Sequence, residues 1–325
     1  MPGFTTHYIF GMKAYNDMPF TPLKHTIAKY RWLYQLGLQG PDMFFYNIPI
    51  LRHRDYRNVG SYMHEHKVNA FFECCLRRIG TIRSRQQQEE AISYLAGFIN
   101  HYIADSICHP YVYGRIGYPV DAPTSMHHGM HAHLENELDA ILLWKYKKKK
   151  PSEFNQTATI CLNGQEIQFI SHFLASCINE TYYPITYRNN FQVTPAMVHR
   201  SIWALRFGCR TLSDKNGKKK FGIAQVESIF VNHPVASAKM VTDSVTDYRS
   251  SCNLNHEAWG NPWDPTHVST ASFVDLFHET LDKCSRVYAL LNSAVTDNMP
   301  LDKQDLSPLL AELGNESYHS GLPVE

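Results

Sequence analysis

The sequence predicts an all-α, multi-helix protein, and three observations carry that expectation. Apolar residues recur at helical spacing in segment after segment, Pro and small polar residues stand where helices would begin, and Gly or Pro stands where they would end. Of the 325 residues, 44% are hydrophobic and 13% aromatic, which is enough for a packed core and excludes an intrinsically disordered chain. Lys and Arg number 31 against 30 acids, a formal charge of +1. That balance argues against a nucleic-acid packaging protein or a polybasic membrane module.

The elements follow in order. Thr21-Pro22 offers an N-cap with proline at the first helical position, and the pattern runs to Leu36 before Gly37 and Gly40 stop it. A second helix is expected over Ser61–Ile79, with Met63, Val68, Phe71, Phe72, Cys75, Leu76 and Ile79 on its apolar face. A third spans 86–108 and closes before Pro110. Residues 111–130, rich in Gly, Pro, Tyr and His, predict a long loop, and loops of that length tend to be functional. A fourth helix covers Met130–Lys147. Beyond Pro151 a small β-hairpin is expected, with a strand pair at Thr157–Leu162 and Glu166–Phe169, although Glu166–Tyr182 also reads as a helix. Further helices are expected at 195–212, 222–245, 268–293 and 303–313. The unusual chemistry lies in residues 1–148; residues 149–325 predict more helices on the same core.

The N-terminal MPGFTTHYIF shows no charged stretch leading into a long apolar one, and no apolar run approaches the ~20 residues that cross a bilayer. The eight Cys form no CxxC pair; Cys74-Cys75 reads as small buried residues. A reducing, cytoplasmic compartment is therefore the expectation. The basic runs Lys147–Lys150 and Lys215–Lys220 read as solvated element ends.

Histidine is the outlier, with 18 in the chain, and imidazole is the commonest metal ligand. Ala91–Cys108 holds one formal charge, Asp105, in a helix apolar on nearly every side. An unpaired carboxylate there would cost several kcal/mol, so Asp105 needs a partner. His101, Asp105 and His109 recur every four residues and share one face. Such a face suits metal ligation, with a metal-free His–Asp hydrogen-bonded pair as the alternative. The next helix repeats the spacing in His131 and Glu135, with His133–Glu137 as the competing register. Upstream stand His7, Asp42 after the Gly40-Pro41 turn, and His64 with His66 as its competitor. Five imidazoles and three carboxylates exceed one tetrahedral zinc and fit two or three ions.

HYIADSICHP, HAHLENELD, TTHYIFG and LGLQGPD, spread over residues 1–145, resemble the zinc-dependent phospholipase C family, relatives of the P1-type nucleases. The resemblance implies a helical bundle with its metal cluster between core helices. It places one Zn²⁺ on Asp42, His64, His101 and Asp105, and a second on His109, His131 and Glu135. A third would sit on His7 and a bridging Asp105. In secreted relatives the amine and carbonyl of an N-terminal Trp complete that third site; here Pro2 would take the place after loss of Met1. The gap from His101 to His109 is shorter than in the family, and no aromatic directly follows Asp42, so choline selectivity does not carry over. The implied reaction is hydrolysis of a glycerophospholipid to diacylglycerol and a phosphorylated head group by a metal-bound hydroxide, with Asp42 orienting or deprotonating the water. Phe44-Phe45-Tyr46 and Tyr111–Tyr118 are candidates for the substrate mouth. The expected partner is a phospholipid or other phosphodiester, with transient membrane-surface contact, no transmembrane segment and no stable nucleic-acid partner. The rival expectations are a P1-like single-strand nuclease and a non-enzymatic metal- or lipid-binding protein.

Overall fold

Helix boundaries in this chain are set as much by distant hydrogen bonds as by local propensity. The computed structural model describes residues 3–46, 59–185, 191–212, 214–230, 237–245 and 247–325. Helix α1 (Phe4–Asp17) has no capping side chain at Gly3; the carboxylate of Asp139, far along the sequence, accepts the N–H groups of Thr5 (3.2 Å) and Thr6 (2.7 Å) instead. The sequence carries no local start signal there. Thr21 caps α2 (Pro22–Lys29) as expected, accepting from the N–H of Lys24. The single helix expected to Leu36 is broken at Tyr30, whose carbonyl accepts the Ser93 hydroxyl at 3.0 Å, and α3 (Arg31–Gly37) follows.

A 3-10 turn, Gly40–Tyr46, leads to α4 (Val59–Glu65) and α5 (Val68–Thr81). One helix was expected across these two. Lys67 separates them with φ of 48°, and its N–H donates to the Glu325 carbonyl at the far end of the chain. The central helix, α6 (Arg85–Arg115), corrects the expected stop: it runs through Pro110. Gly321 packs against the Ser106 carbonyl that proline deprives of its helical partner, where a Cβ would lie 2.5 Å from that oxygen. Burial over most of the helix outweighs the roughly 3 kcal/mol that an interior proline costs. The expected loop at 111–130 shrinks accordingly, because α7 (Ser125–Lys147) starts early. There the Thr124 N–H donates to His127 Nδ1 at 3.2 Å.

The strand pair expected at 157–169 is not formed. Gln156–Thr159 is a 3-10 turn, and α8 (Gly164–Tyr182) begins in a capping box between Asn163 and Glu166. The helical alternative holds because that box satisfies the first free N–H groups. Next come α9 (Pro195–Leu212), α10 (Lys218–Phe230) and the short α11 (Tyr248–Ser251). The hairpin lies later, with β1 (Trp259–Asn261) antiparallel to β2 (Asp264–Ser269). Helices α12 (Phe273–Thr296) and α13 (Ser307–Leu313) complete the chain.

Helix α6 is the axis. Its Phe98, Ile99 and Ile103 meet Phe71 and Phe72 of α5, while Cys108, Tyr111 and Val112 meet Phe10, Phe273 and Phe277. Helix α3 crosses it backbone to backbone: a Cβ on Gly37 would lie 2.1 Å from the Tyr94 carbonyl oxygen, and one on Gly97 would lie 2.1 Å from that of Tyr34. Helix propensity alone would make Gly97→Ala stabilising by about 1 kcal/mol. Overpacking against an immovable carbonyl costs about 1–3 kcal/mol and decides the sign. Urea unfolding of Gly97→Ala should show a net loss of up to ~2 kcal/mol; a gain would show that the crossing is looser than drawn.

Candidate metal centre

Four helices and one turn deliver eight side chains to the middle of the bundle. His7 comes from α1, Asp42 from the 3-10 turn, His64 from α4, His101, Asp105 and His109 from α6, and His131 and Glu135 from α7. All eight are buried, His7, His64, His101, Asp105 and His109 completely. Gly40 makes the turn's approach feasible: its φ is +46°, and a Cβ there would lie 2.2 Å from Cδ2 of His101.

Seven of the eight fall into two of the groups that the family resemblance implied, and His7 joins them through Asp105. Asp42, His64, His101 and Asp105 each bring a ligand atom within 4.8 Å of the others, and so do His109, His131 and Glu135. In the first group His64 Nε2 lies 3.3 Å from Asp42 Oδ1, and His101 Nε2 lies 3.1 Å from Asp105 Oδ2. In the second, Glu135 Oε1 is 2.6 Å from His131 Nε2 and 3.5 Å from His109 Nε2. Asp105 turns its other oxygen, Oδ1, to His7 Nε2 at 3.2 Å, so its carboxylate stands between two sets of imidazoles. The His7 and His101 rings stack with centroids 4.0 Å apart. Pro2 lies outside the described residues.

The hydrogen bonds behind the imidazoles decide what fits between these groups. Nδ1–H donates to the Gly60 carbonyl from His64 (2.7 Å), to that of Leu38 from His101 (3.1 Å) and to that of Tyr318 from His109 (2.6 Å). A carbonyl only accepts, so each of these Nδ1 atoms carries a proton and each ring turns its Nε2 inward. What those nitrogens face are carboxylate oxygens, which are acceptors. Nε2 of His7, His64, His101 and His109, Oδ1 of Asp42 and both oxygens of Asp105 make no hydrogen bond among the described residues.

The titration directions agree. Burial opposes charge on Asp105, yet the imidazoles of His109, His101 and His7 hold its carboxyl well below the usual range. Asp42 behaves alike: burial is outweighed by His101 and His64. Burial also pushes His109 down to about 4 and His131 well down, so both are neutral at pH 7. No Lys or Arg nitrogen lies within 4.0 Å of Asp105 among the described residues; its ion-pair contacts are all to imidazoles. Seven buried polar atoms without a hydrogen-bond partner would cost on the order of 10 kcal/mol, at about 1–3 each, which rivals a domain's whole stability. Cations between them remove that cost. Nitrogen and oxygen donors at these separations suit zinc.

The competing registers resolve against the centre. His133 is half exposed and pairs with Glu137 at 3.7 Å, while Glu137 accepts the Ser251 hydroxyl. His66 lies on the Tyr62 ring. Phe44 is core, Phe45 lies 5.4 Å from the His64 ring, and Tyr111 packs on Trp259 and Phe273.

His319 is a neighbour that sequence reasoning missed. Its ring centroid is 4.9 Å from that of His64 and 5.7 Å from that of His109, and its Nδ1 pairs with the Tyr113 hydroxyl at 2.8 Å. It belongs to the C-terminal segment, whose Tyr318 N–H donates to the His64 carbonyl at 3.0 Å. No helical spacing links it to the other histidines, so periodicity gave no signal.

Chelation should therefore weaken the fold itself. Urea unfolding with and without a strong chelator should differ by at least ~3 kcal/mol, with Zn²⁺ restoring the loss and Mg²⁺ not. Equal curves would mean that the acceptors find protons instead.

Neither the curated proteins nor the solved structures compared with the chain include a match. A family model described as zinc dependent phospholipase C matches residues 6–186, which contain all eight converging side chains. With more than half of its length matched and the buried donor sets in place, the chain belongs to the zinc dependent phospholipase C family.

Proposed function

We propose that the protein is a phospholipase C that cleaves a glycerophospholipid to diacylglycerol and a phosphorylated head group, using three zinc ions. The observation that carries this reading is Asp105, whose two oxygens serve opposite sides: Oδ2 faces His101 and His64, and Oδ1 faces His7. One carboxylate shared in that way would serve two ions, and His109, His131 and Glu135 would hold another. Bound zinc supplies charge neutralisation for the phosphate oxygens and acidity for a water molecule.

The chain's own groups do the rest. Asp42 stays ionised, because nearby imidazoles outweigh its burial, so its Oδ1 is ready to accept the proton that the attacking water loses. Its seat on a 3-10 turn, at the edge of the donor set, leaves it room to trade ligation for proton transfer. Water oxygen then bonds to phosphorus, the phosphorus–glycerol oxygen bond breaks, and the glycerol oxygen takes up a proton to leave as diacylglycerol. The three Nδ1–carbonyl bonds hold the imidazoles in one orientation throughout. Tyr113 occupies Nδ1 of His319, which leaves Nε2 as the atom to meet a phosphate oxygen. His7, His64, His101, His109, His131, Glu135 and Asp105 are the proposed ligands, joined by Asp42.

Three measurements test this reading. Purified zinc-loaded protein should hydrolyse a phosphatidylcholine or a chromogenic phosphocholine ester and leave single-stranded DNA intact; the reverse result would make it a nuclease. Asp42→Asn should keep most of its zinc and lose about 10²–10⁴-fold in kcat; full activity would remove Asp42 from the chemistry. His319→Ala should retain all zinc and lower kcat/KM by about tenfold, the worth of one charge-assisted hydrogen bond; loss of zinc would make it a ligand instead.

A further inference from the structure

Helix α9 has two faces of different character. Val198, Ile202, Leu205 and Cys209 are buried against the bundle. The opposite stripe, Arg200, Trp203, Phe207 and Arg210, stands in solvent, with Trp203 63% and Phe207 55% exposed. These two rings stack on each other at 5.3 Å and 9°, one turn apart, so they form one apolar ridge. Helix α9 holds no acid, and from Pro195 to Phe221 the chain has seven Lys and Arg against one acid. That acid, Asp214, is buried and accepts the N–H of Lys220. A chain balanced at +1 overall thus carries only positive side-chain charge on the helix of its exposed aromatic ridge, in Arg200, Arg206 and Arg210, with more in the segment that follows. Phe221, 67% exposed, follows Lys218–Lys220 at the start of α10.

We infer that this stripe is the surface by which the protein docks on an anionic phospholipid bilayer. The inference rests on the phospholipid reading for its choice of partner. Stacked Trp and Phe match the interfacial zone of a bilayer, where an aromatic ring enters the acyl boundary while flanking Arg and Lys meet head-group phosphates. Each cation near such a surface contributes attraction that scales with the anionic lipid present. A protein partner of similar charge preference would need acidic groups placed to match; a bilayer needs only area and negative potential. The position suits the reaction as well. The inner side of α9 packs on the turn that carries Asp42, with Gly208 so close to Tyr46 that a Cβ would lie 2.4 Å from its ring. Docking on the outer side sets the lipid surface one helix away from the metal centre.

The test is co-sedimentation of full-length, zinc-loaded protein with vesicles on ice. One set is phosphatidylcholine alone and the other includes about one-third phosphatidylserine. Wild type should pellet with the anionic set. Trp203→Gln/Phe207→Gln should bind that set about tenfold more weakly, and Arg200→Glu/Arg210→Glu should lose at least tenfold on the same set. Both variants should keep the wild-type rate on a soluble short-chain phosphodiester, because neither pair lies in the metal centre. Wild type that stays in the supernatant, or variants that pellet equally well, would overturn the inference. So would a dimer that both variants dissolve, since the ridge would then be a self-interface, or single-stranded DNA binding that the Arg variants alone abolish. Vesicle binding lost in both variants, in a protein that hydrolyses no lipid, would sink the phospholipase reading and uphold this surface.

Discussion

A carboxylate ringed by imidazoles in the buried middle of a helical bundle is the constraint on which the structure depends. Asp105 is fully buried and has no cationic side chain beside it other than imidazole among the described residues. The Nδ1 protons of His64, His101 and His109 are committed to backbone carbonyls, so none of these three rings can turn that proton to the carboxylate. Polar groups can be buried at such density only when something positive fills the space between them. Zinc bound there would be part of the core's stability as well as of any chemistry at the site.

This constraint explains how α6 is built. A helix bearing His101, Asp105 and His109 must keep all three in phase, and a kink after the second turn would move His109 by several ångströms. The helix runs on through Pro110, and the C-terminal segment accommodates it: Gly321 fits against the Ser106 carbonyl, and Tyr318 accepts the Nδ1–H of His109. Residues 317–321 thus support ligands more than 200 positions earlier, although they lie beyond the stretch that the family model matches. Support of the imidazoles is shared between matched and unmatched parts of the chain.

Legibility divides along the same line. The i, i+4 spacing on α6 and α7 was readable because a helix converts sequence distance into a shared face, and a lone acid in an apolar helix announces that it needs a partner. His7, Asp42 and His64 stood as upstream candidates, each weak by itself, and the family motifs assigned them to sites. What could not be read is whatever depends on contacts between remote segments. Tyr30 ends a helix through Ser93, Lys67 through Glu325, and α1 begins on Asp139. The strand pair expected at 157–169 gave way to the helical alternative at 164–182 because the Asn163–Glu166 capping box outweighs a short apolar run, and the hairpin forms at 259–269, where none was expected. His319 escaped because proximity there comes from the fold alone.

Asp139 shows how far the metal centre's organisation extends. It lies one turn beyond Glu135 on α7 and accepts the N–H groups of Thr5 and Thr6, one and two residues before His7. Burial raises its carboxyl to about 6, against the pull of those hydrogen bonds. Such a group adds most to stability below its ordinary value near 3.8 and loses that contribution as pH rises through about 6. Asp139 is thus retained at neutral pH despite a cost to the fold, and what it provides is position. One face of α7 carries two proposed zinc ligands and, a turn later, the anchor that holds the first turn of α1, so that helix fixes the second donor group and the imidazole of His7 together. Those two hydrogen bonds tie the helix that carries His131 and Glu135 to the helix that carries His7, whose imidazole meets Asp105.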